Sequence, residues 1–181
     1  MKTLIYRLRK LLGKESVLVS EGRISLNPKL CWIDIWSFQQ TWEQFSNEQQ
    51  NNGNTNTLST LTQHLSRLYR GPFLAQNDAT WALATREQLQ GQIVRALDLC
   101  AEHAEQSGHW REAQALLQKG IDLDPLSENF YRRLMLCYHK LGQSAEALSI
   151  YRRCQRTLSV SLGISPSPET IAAANQLRSG S

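Results

Sequence analysis

The side chains able to do chemistry in this chain of 181 residues are scattered, apart from a basic cluster at its start. His64, His103, His109 and His139 sit apart in helical or turn-forming surroundings, with no spacing that would bring two onto one metal ion. Cys31, Cys100, Cys137 and Cys154 form no C-x-x-C pair, and three fall within apolar helical patterns. They read as small buried hydrophobes of a chain kept in a reducing compartment. The carboxylates Asp122 and Asp124 lie at a helix end beside Pro125, where capping accounts for them. No phosphate-cradling glycine loop, H-E-x-x-H or nucleophile elbow is present, so neither catalysis nor a cofactor is expected. The basic cluster is different. Residues 1–30 hold seven Lys and Arg against Glu15 and Glu21, a net of +5, whereas the remaining 151 residues carry thirteen positive and fourteen negative side chains. Such a distribution suits a chain in which one small part meets an anionic partner.

The elements that would position this basicity are short. Leu4, Ile5, Leu8, Leu11 and Leu12 share one face of a helix over residues 2–12. Lys2, Thr3, Tyr6 and Lys10 share the other, flanked by Arg7 and Arg9, and Gly13 follows as the terminating residue. Val17-Leu18-Val19 and Arg23-Ile24-Ser25-Leu26 then flank Ser20-Glu21-Gly22, the composition of a β-hairpin. By themselves these residues admit two readings: an amphipathic helix with a solvated basic face, or the closing helix and hairpin of a winged helix-turn-helix.

The larger part of the chain is organised by a repeat. Gly108 recurs as Gly142, Glu112 as Glu146 and Ala113 as Ala147, each 34 residues on, and Leu97, Ala101 and Ala104 correspond to Tyr131, Met135 and Tyr138. That period is the mark of a tetratricopeptide helix–turn–helix. The glycines punctuate the turns, and the alanines allow close helix approach beside Leu117 and Tyr151. Asp124 is expected as an N-cap with Pro125 at the first helical position. The expected fold is mainly α: a tetratricopeptide-like α-α superhelix after a short N-terminal helix and hairpin. About three antiparallel helix pairs in a right-handed stack are expected, roughly 34–45 with 58–69, 81–106 with 110–123, and 126–141 with 144–162. Asp34 is read as the first pair's N-cap. The apolar-free stretch 46–57 is read as a mobile loop, and a final helix is expected over 169–177. No apolar run approaches the ~18 residues of a membrane span, and residues 1–12 lack a signal peptide's apolar centre, which favours a cytoplasmic chain.

Separated phrases now resemble one family. Trp32-Ile33-Asp34 with Phe38, Leu68-Tyr69-Arg70-Gly71-Pro72-Phe73-Leu74, Trp81, Arg86, Asp124-Pro125-Leu126 with Glu128, Tyr131-Arg132, and Leu162-Gly163-Ile164-Ser165-Pro166-Ser167-Pro168-Glu169-Thr170 are similar to the bacterial transcriptional activator domain of SARP and AfsR-like regulators. The resemblance covers about residues 31–175, and its most specific phrase is Tyr69 to Leu74. It implies two parts: residues 1–30, the recognition helix and wing of an OmpR-like winged helix-turn-helix, and residues 31–178, the repeat domain. It also implies that Thr3, Tyr6, Arg7 and Lys10 face the major groove of DNA, Lys2 and Arg9 the phosphates, and Arg23 the backbone or minor groove. That family's DNA-binding domain has a sheet and two helices before this point. The chain therefore reads as part of a longer regulator or as a degenerate one.

For a protein ligand, first-helix positions of the two repeats line an inner groove: Arg95, Asp98, Glu102 and Glu105, then Asn129, Arg132, Leu136, His139 and Lys140. Their mixed signs do not form a carboxylate clamp, and solvated helix surface is the competing reading. A repeat adaptor that binds protein and never DNA is the alternative to a regulator. Leu4, Leu8 and Leu11 are expected to pack on the repeat body, on the hairpin, or on a second chain as a dimer, leaving Tyr6 and Lys10 in solvent.

Overall fold

A computed structural model describes residues 2–51 and 53–179, without the side chains of Lys2 and Ser179. The described elements are α1 (Lys2–Leu12), a 3-10 turn (Lys14–Ser16), β1 (Val17–Ser20), β2 (Arg23–Leu26), α2 (Asp34–Gln50), α3 (Thr55–Leu68), α4 (Thr80–Gln106), α5 (Trp110–Leu123), α6 (Glu128–Lys140), α7 (Ser144–Leu162) and α8 (Pro168–Ser179).

The repeat is physical. Gly108 and Gly142 hold φ of +73° and +74°, the left-handed conformation that costs glycine nothing. At the first turn the His109 amide reaches the Ala104 carbonyl at 2.8 Å and the Gly108 amide reaches Glu105. At the second, Gln143 reaches Tyr138 at 2.8 Å and Gly142 reaches His139. Donors and acceptors are displaced by one repeat, so both helices end in the same Schellman closure. Ala113 and Ala147 are fully buried, with Leu117 and Tyr151 buried beside them. The pairs α2 with α3, α4 with α5 and α6 with α7 all pack as expected, and α3 with α4, α5 with α6, and α7 with α8 join them into a continuous stack.

Two apolar clusters form the interior. The first gathers Phe38, Phe45, Leu58, Leu65, Leu89, Ile93 and Leu97 from α2, α3 and α4 as far as Cys100. The second gathers Ala101 and Ala104 with Leu117, Ile121, Phe130, Tyr131, Leu134, Met135 and Leu158, and reaches Ala174 and Leu177 of α8. The 27-residue α4 belongs to both. Cys100, Cys137 and Cys154 are buried within these clusters and Cys31 is half-buried.

The boundaries differ from the sequence pattern in three places. Helix continues through Ser46–Gln50 and resumes at Thr55, so the expected loop of residues 46–57 shrinks to a short link. Its polar residues still satisfy their backbones by extending the helices on either side, and Asn54 caps α3 by accepting from the Asn56 amide at 2.8 Å. Asp124 is not an N-cap: it closes α5, Pro125 lies in the turn, and α6 begins at Glu128. Asp34 is likewise not an N-cap: Ile33 holds that position, and Asp34 is the first residue of α2, its carboxylate accepting from the Ile35 amide at 2.8 Å.

The N-terminal unit follows its expected outline. β1 and β2 pair antiparallel from Val17 opposite Leu26 to Ser20 opposite Arg23. Their link, Glu21-Gly22, has φ positive at both positions, as a two-residue turn matched to strand twist requires.

The tightest approach in the stack gives a stability test. A Cβ on Gly120 of α5 would lie 2.7–2.9 Å from three ring atoms of buried Phe130 of α6. Gly120→Ala is therefore expected to lower stability by ~1–3 kcal/mol in chemical denaturation, despite alanine's better helix propensity. Ala147→Leu should cost a similar ~1–3 kcal/mol by overpacking the second repeat. An unchanged melt for either variant would contradict this helix packing.

Candidate functional site

Two surfaces follow from this architecture. On the first, α1 presents Thr3, Tyr6, Arg7 and Lys10 to solvent, with Tyr6 68% exposed. Arg23, the first residue of β2 after the hairpin turn, is exposed as well. The side chain of Lys2 lies outside the described residues. Arg9 does something else: its Nε and Nη2 donate to the Val17 carbonyl at 3.3 and 3.0 Å, fastening α1 to the hairpin. The connector is fastened in turn, since the Asn27 amide reaches the Ser16 carbonyl and its side-chain amide reaches that of Glu15.

The apolar side of α1 is covered only in part by the described residues. Leu4 is 60% and Leu11 81% exposed, and only Ile5 and Leu8 are half-buried. The principal packing of α1 is with the 3-10 turn and β1, not with the repeats. Of the three expected covers, the repeat body is thus not a main one, and the hairpin covers only part of the face. The hairpin is too small: two four-residue strands cannot hide five large side chains.

The second surface is the inner face of the repeats, where most charges already have partners. Arg133 of α6 donates to the Asp98 carboxylate and carbonyl and, at 3.0 Å, to both oxygens of Glu105, all on α4. Arg132 donates to the Thr170 hydroxyl of α8 at 3.0 Å. Arg95 reaches Gln49 of α2 at 3.4 Å, and Glu102 accepts from Gln106. Lys140 lies 6.0 Å from the centre of the Trp110 ring. Asn129, Arg132 and Leu136 line a cleft against α8 of about 270 Å³. His139 is half-buried, and its Nδ1 has no hydrogen-bond partner among the described residues. Of the side chains expected along this face, Asp98, Glu105 and Arg132 are structural ties. Sequence reasoning missed Arg133. The signal was there, in opposite charges about one repeat apart on corresponding helices.

Glu128 is the other residue that periodicity did not single out. From the first turn of α6 it accepts from the Ser167 amide at 2.9 and 3.2 Å and from the Ser167 hydroxyl at 3.0 Å. Ser167 is also the residue before α8, and Pro168 takes the first helical position. One carboxylate thus serves the starts of two helices. Burial pushes its pKa up, but the Thr170 hydroxyl, the Ser167 donors and the Arg132 charge outweigh burial and hold it below the ordinary value.

Comparison with known proteins places these surfaces in a context. Residues 33–178 match the model of the bacterial transcriptional activator domain. The curated Regulatory protein AfsR of Streptomyces griseus is 25% identical over 169 residues, which span 93% of this chain and 17% of that protein. The solved structure of Mycobacterium tuberculosis EmbR in complex with low affinity phosphopeptide superposes with a TM-score of 0.63 at 23% identity, covering 99% of this chain and 49% of that one. This chain thus spans about half of one relative and under a fifth of the other. The likeness to EmbR is one of fold, and it takes in the N-terminal helix and hairpin as well as the repeats.

The Glu128 tie carries a pH signature. Its folded pKa is depressed, so its contribution is complete above the ordinary value of 4.5 and is lost as pH falls through the lower folded value. Glu128→Gln should cost about 1–2 kcal/mol at neutral pH, the figure for a charge-assisted hydrogen bond discounted for partial exposure. The gap to the parent protein should close in acid. Chemical denaturation between pH 7 and pH 3 measures it, and a gap independent of pH would exclude the ionised carboxylate as its source.

Proposed function

The chain belongs to the bacterial transcriptional activator domain family, and from that premise we propose that its repeats are the protein-contact or signal-response part of a transcriptional regulator whose DNA-binding part includes α1 and the β1–β2 hairpin. Membership makes the chain a regulatory module and not an enzyme. The division into residues 1–30 and 31–178, and a place in the cytoplasm, belong to the proposal. Among the described residues no helix is long and apolar enough to cross a membrane.

The observation that carries the DNA reading is the two-sidedness of α1. Its basic side, with Thr3, Tyr6, Arg7 and Lys10, is open to solvent, as a recognition helix requires. Its apolar side, with Leu4 and Leu11 open as well, is what such a helix would set against scaffold helices. Arg23 would meet the DNA backbone from the hairpin turn, and Lys2 a phosphate. Arg9, tied to the Val17 carbonyl through Nε and Nη2, aims α1 relative to the hairpin, and its remaining nitrogen would be the one to meet a phosphate.

For the repeats, the residues proposed to meet a protein are those at the edge of the inner face: Arg95, Glu102, Asn129, His139 and Lys140. The same surface with no DNA role, a stand-alone adaptor, has one observation in its favour. α1 is held by little more than Arg9 and a small hairpin, so little in this chain aims it into a groove. A dimer in which two copies cover each other's Leu4 and Leu11 is consistent with both readings. EmbR was solved with a phosphopeptide, which fits a protein partner for this chain too.

Duplex DNA should bind this chain weakly, without sequence preference and with strong salt dependence. Arg7→Ala and Lys10→Ala should each reduce the salt slope by about 0.9 if each meets a phosphate. Gel-shift titration at two salt concentrations reads both. Absence of binding at low salt would favour the adaptor, and tight sequence-selective binding would mean that no further scaffold is needed.

A further inference from the structure

The end of α7 and the turn after it enclose an open pocket of about 500 Å³ lined by Arg152, Gln155, Arg156, Ser159, Gly163, Ile164, Ser165 and Pro166. Its chemistry is one-sided. Every polar side chain in that lining can donate a hydrogen bond, and none is an acid. None of the five is engaged: Arg152, Gln155, Arg156, Ser159 and Ser165 make no side-chain hydrogen bond or ion pair among the described residues. The backbone amides of Ile164 and Ser165 are likewise without a partner there. This contrasts with the neighbouring Arg153, whose guanidinium meets Asp122 at 3.0 Å, and with Ser167, whose hydroxyl is held by Glu128.

The fold builds this concavity. Arg152 and Arg156 stand four residues apart, so they rise from one face of α7. Gly163 takes φ of +70° and turns the chain back against that face. Pro166 is buried and fixes the far wall. Two full positive charges outweigh the roughly half negative charge at the end of a helix.

We propose that this pocket binds a phosphomonoester. A monoester is a near-dianion at neutral pH and presents three acceptor oxygens, which suits two guanidinium groups ringed by hydroxyl and amide donors. A DNA phosphate is a monoanion in a continuous strand and runs along a ridge; a terminal phosphate can enter a concavity. Exposed Ile164 at the rim offers contact to an apolar body carrying the phosphate. This site is separate from the DNA and protein surfaces proposed above, and its fate does not decide theirs.

Calorimetric titration of the whole chain at low salt tests it, using phenyl phosphate, inorganic phosphate and a phosphotyrosine peptide. Saturable one-site binding of phenyl phosphate is expected, weakening as pH falls below about 6, where the monoester gains a proton. Arg152→Ala with Arg156→Ala should weaken it at least tenfold without moving the melt. Arg152→Gln with Arg156→Gln repeats the test if the alanines lower stability. Removing the same charge elsewhere, by Arg67→Ala with Arg111→Ala, should leave binding intact. A peptide bound tenfold tighter than phenyl phosphate would assign the group to a protein, and equal affinities to a small molecule. No saturable binding, an equal loss in both double variants, or binding of duplex DNA alone through these arginines would each overturn the proposal.

Discussion

Arg133 joins one repeat to the next. Its guanidinium leaves α6 and meets two carboxylates of α4, Asp98 and Glu105, together with a carbonyl. The helices it spans are the first helices of successive repeats. Both pack on the intervening α5, so this charged bridge braces the inner face across it. Removing its positive charge would leave two partly buried carboxylates facing each other, a far larger perturbation than loss of an exposed ion pair. The geometry also decides what the inner face can be. Since its strongest charges satisfy one another, it is a braced wall and not an open clamp awaiting an ion.

The two ends of the stack are finished differently. At the C-terminal end, Glu128 and Arg132 of α6 hold Ser167 and Thr170, and α8 lays Ala174 and Leu177 onto the second core. At the other end, α2 is preceded by a connector and a small unit whose apolar helix face stays open. Another tie steadies the first core. Arg86 donates to the carbonyls of Phe73, Leu74 and Asn77, holding the loop after α3 with Leu74 at φ of +43°. That loop contains the Tyr69–Leu74 phrase by which the family resemblance is most specific, and the reason for its residue types is architectural. Phe73 packs edge-on against Trp81, and Tyr69 against Phe38.

What was legible in the sequence was whatever depends on local conformation or period. Gly108 and Gly142 announced two identical helix ends, Glu21-Gly22 a hairpin turn, and the leucines of residues 4–12 an amphipathic helix. Composition misled at residues 46–57, because an absence of apolar residues excludes a core without excluding helix. Asp124-Pro125 misled because a turn and a helix start favour the same residues. The side-chain ties were the least legible. Arg9, Arg133 and Glu128 each look like solvated charges along the chain, and only the meeting of distant segments gives them their partners. The interaction surfaces were legible as faces, but not which members of each face are already committed.

The unequal burial of the cysteines has a practical consequence. Burial, with Glu105 nearby, pushes the Cys137 thiol up to about 12; burial, with Glu128, takes Cys154 to about 11; and Cys100 is raised by burial too. Such thiols hold almost no thiolate at neutral pH and are shielded from reagents. Cys31, half-exposed beside the Ser16 carbonyl, stands in the connector between the N-terminal unit and the repeats. A maleimide dye would therefore attach at one place in the folded protein without any cysteine being engineered. The connector between the β1–β2 hairpin and the first repeat helix thus carries a built-in attachment point for a reporter.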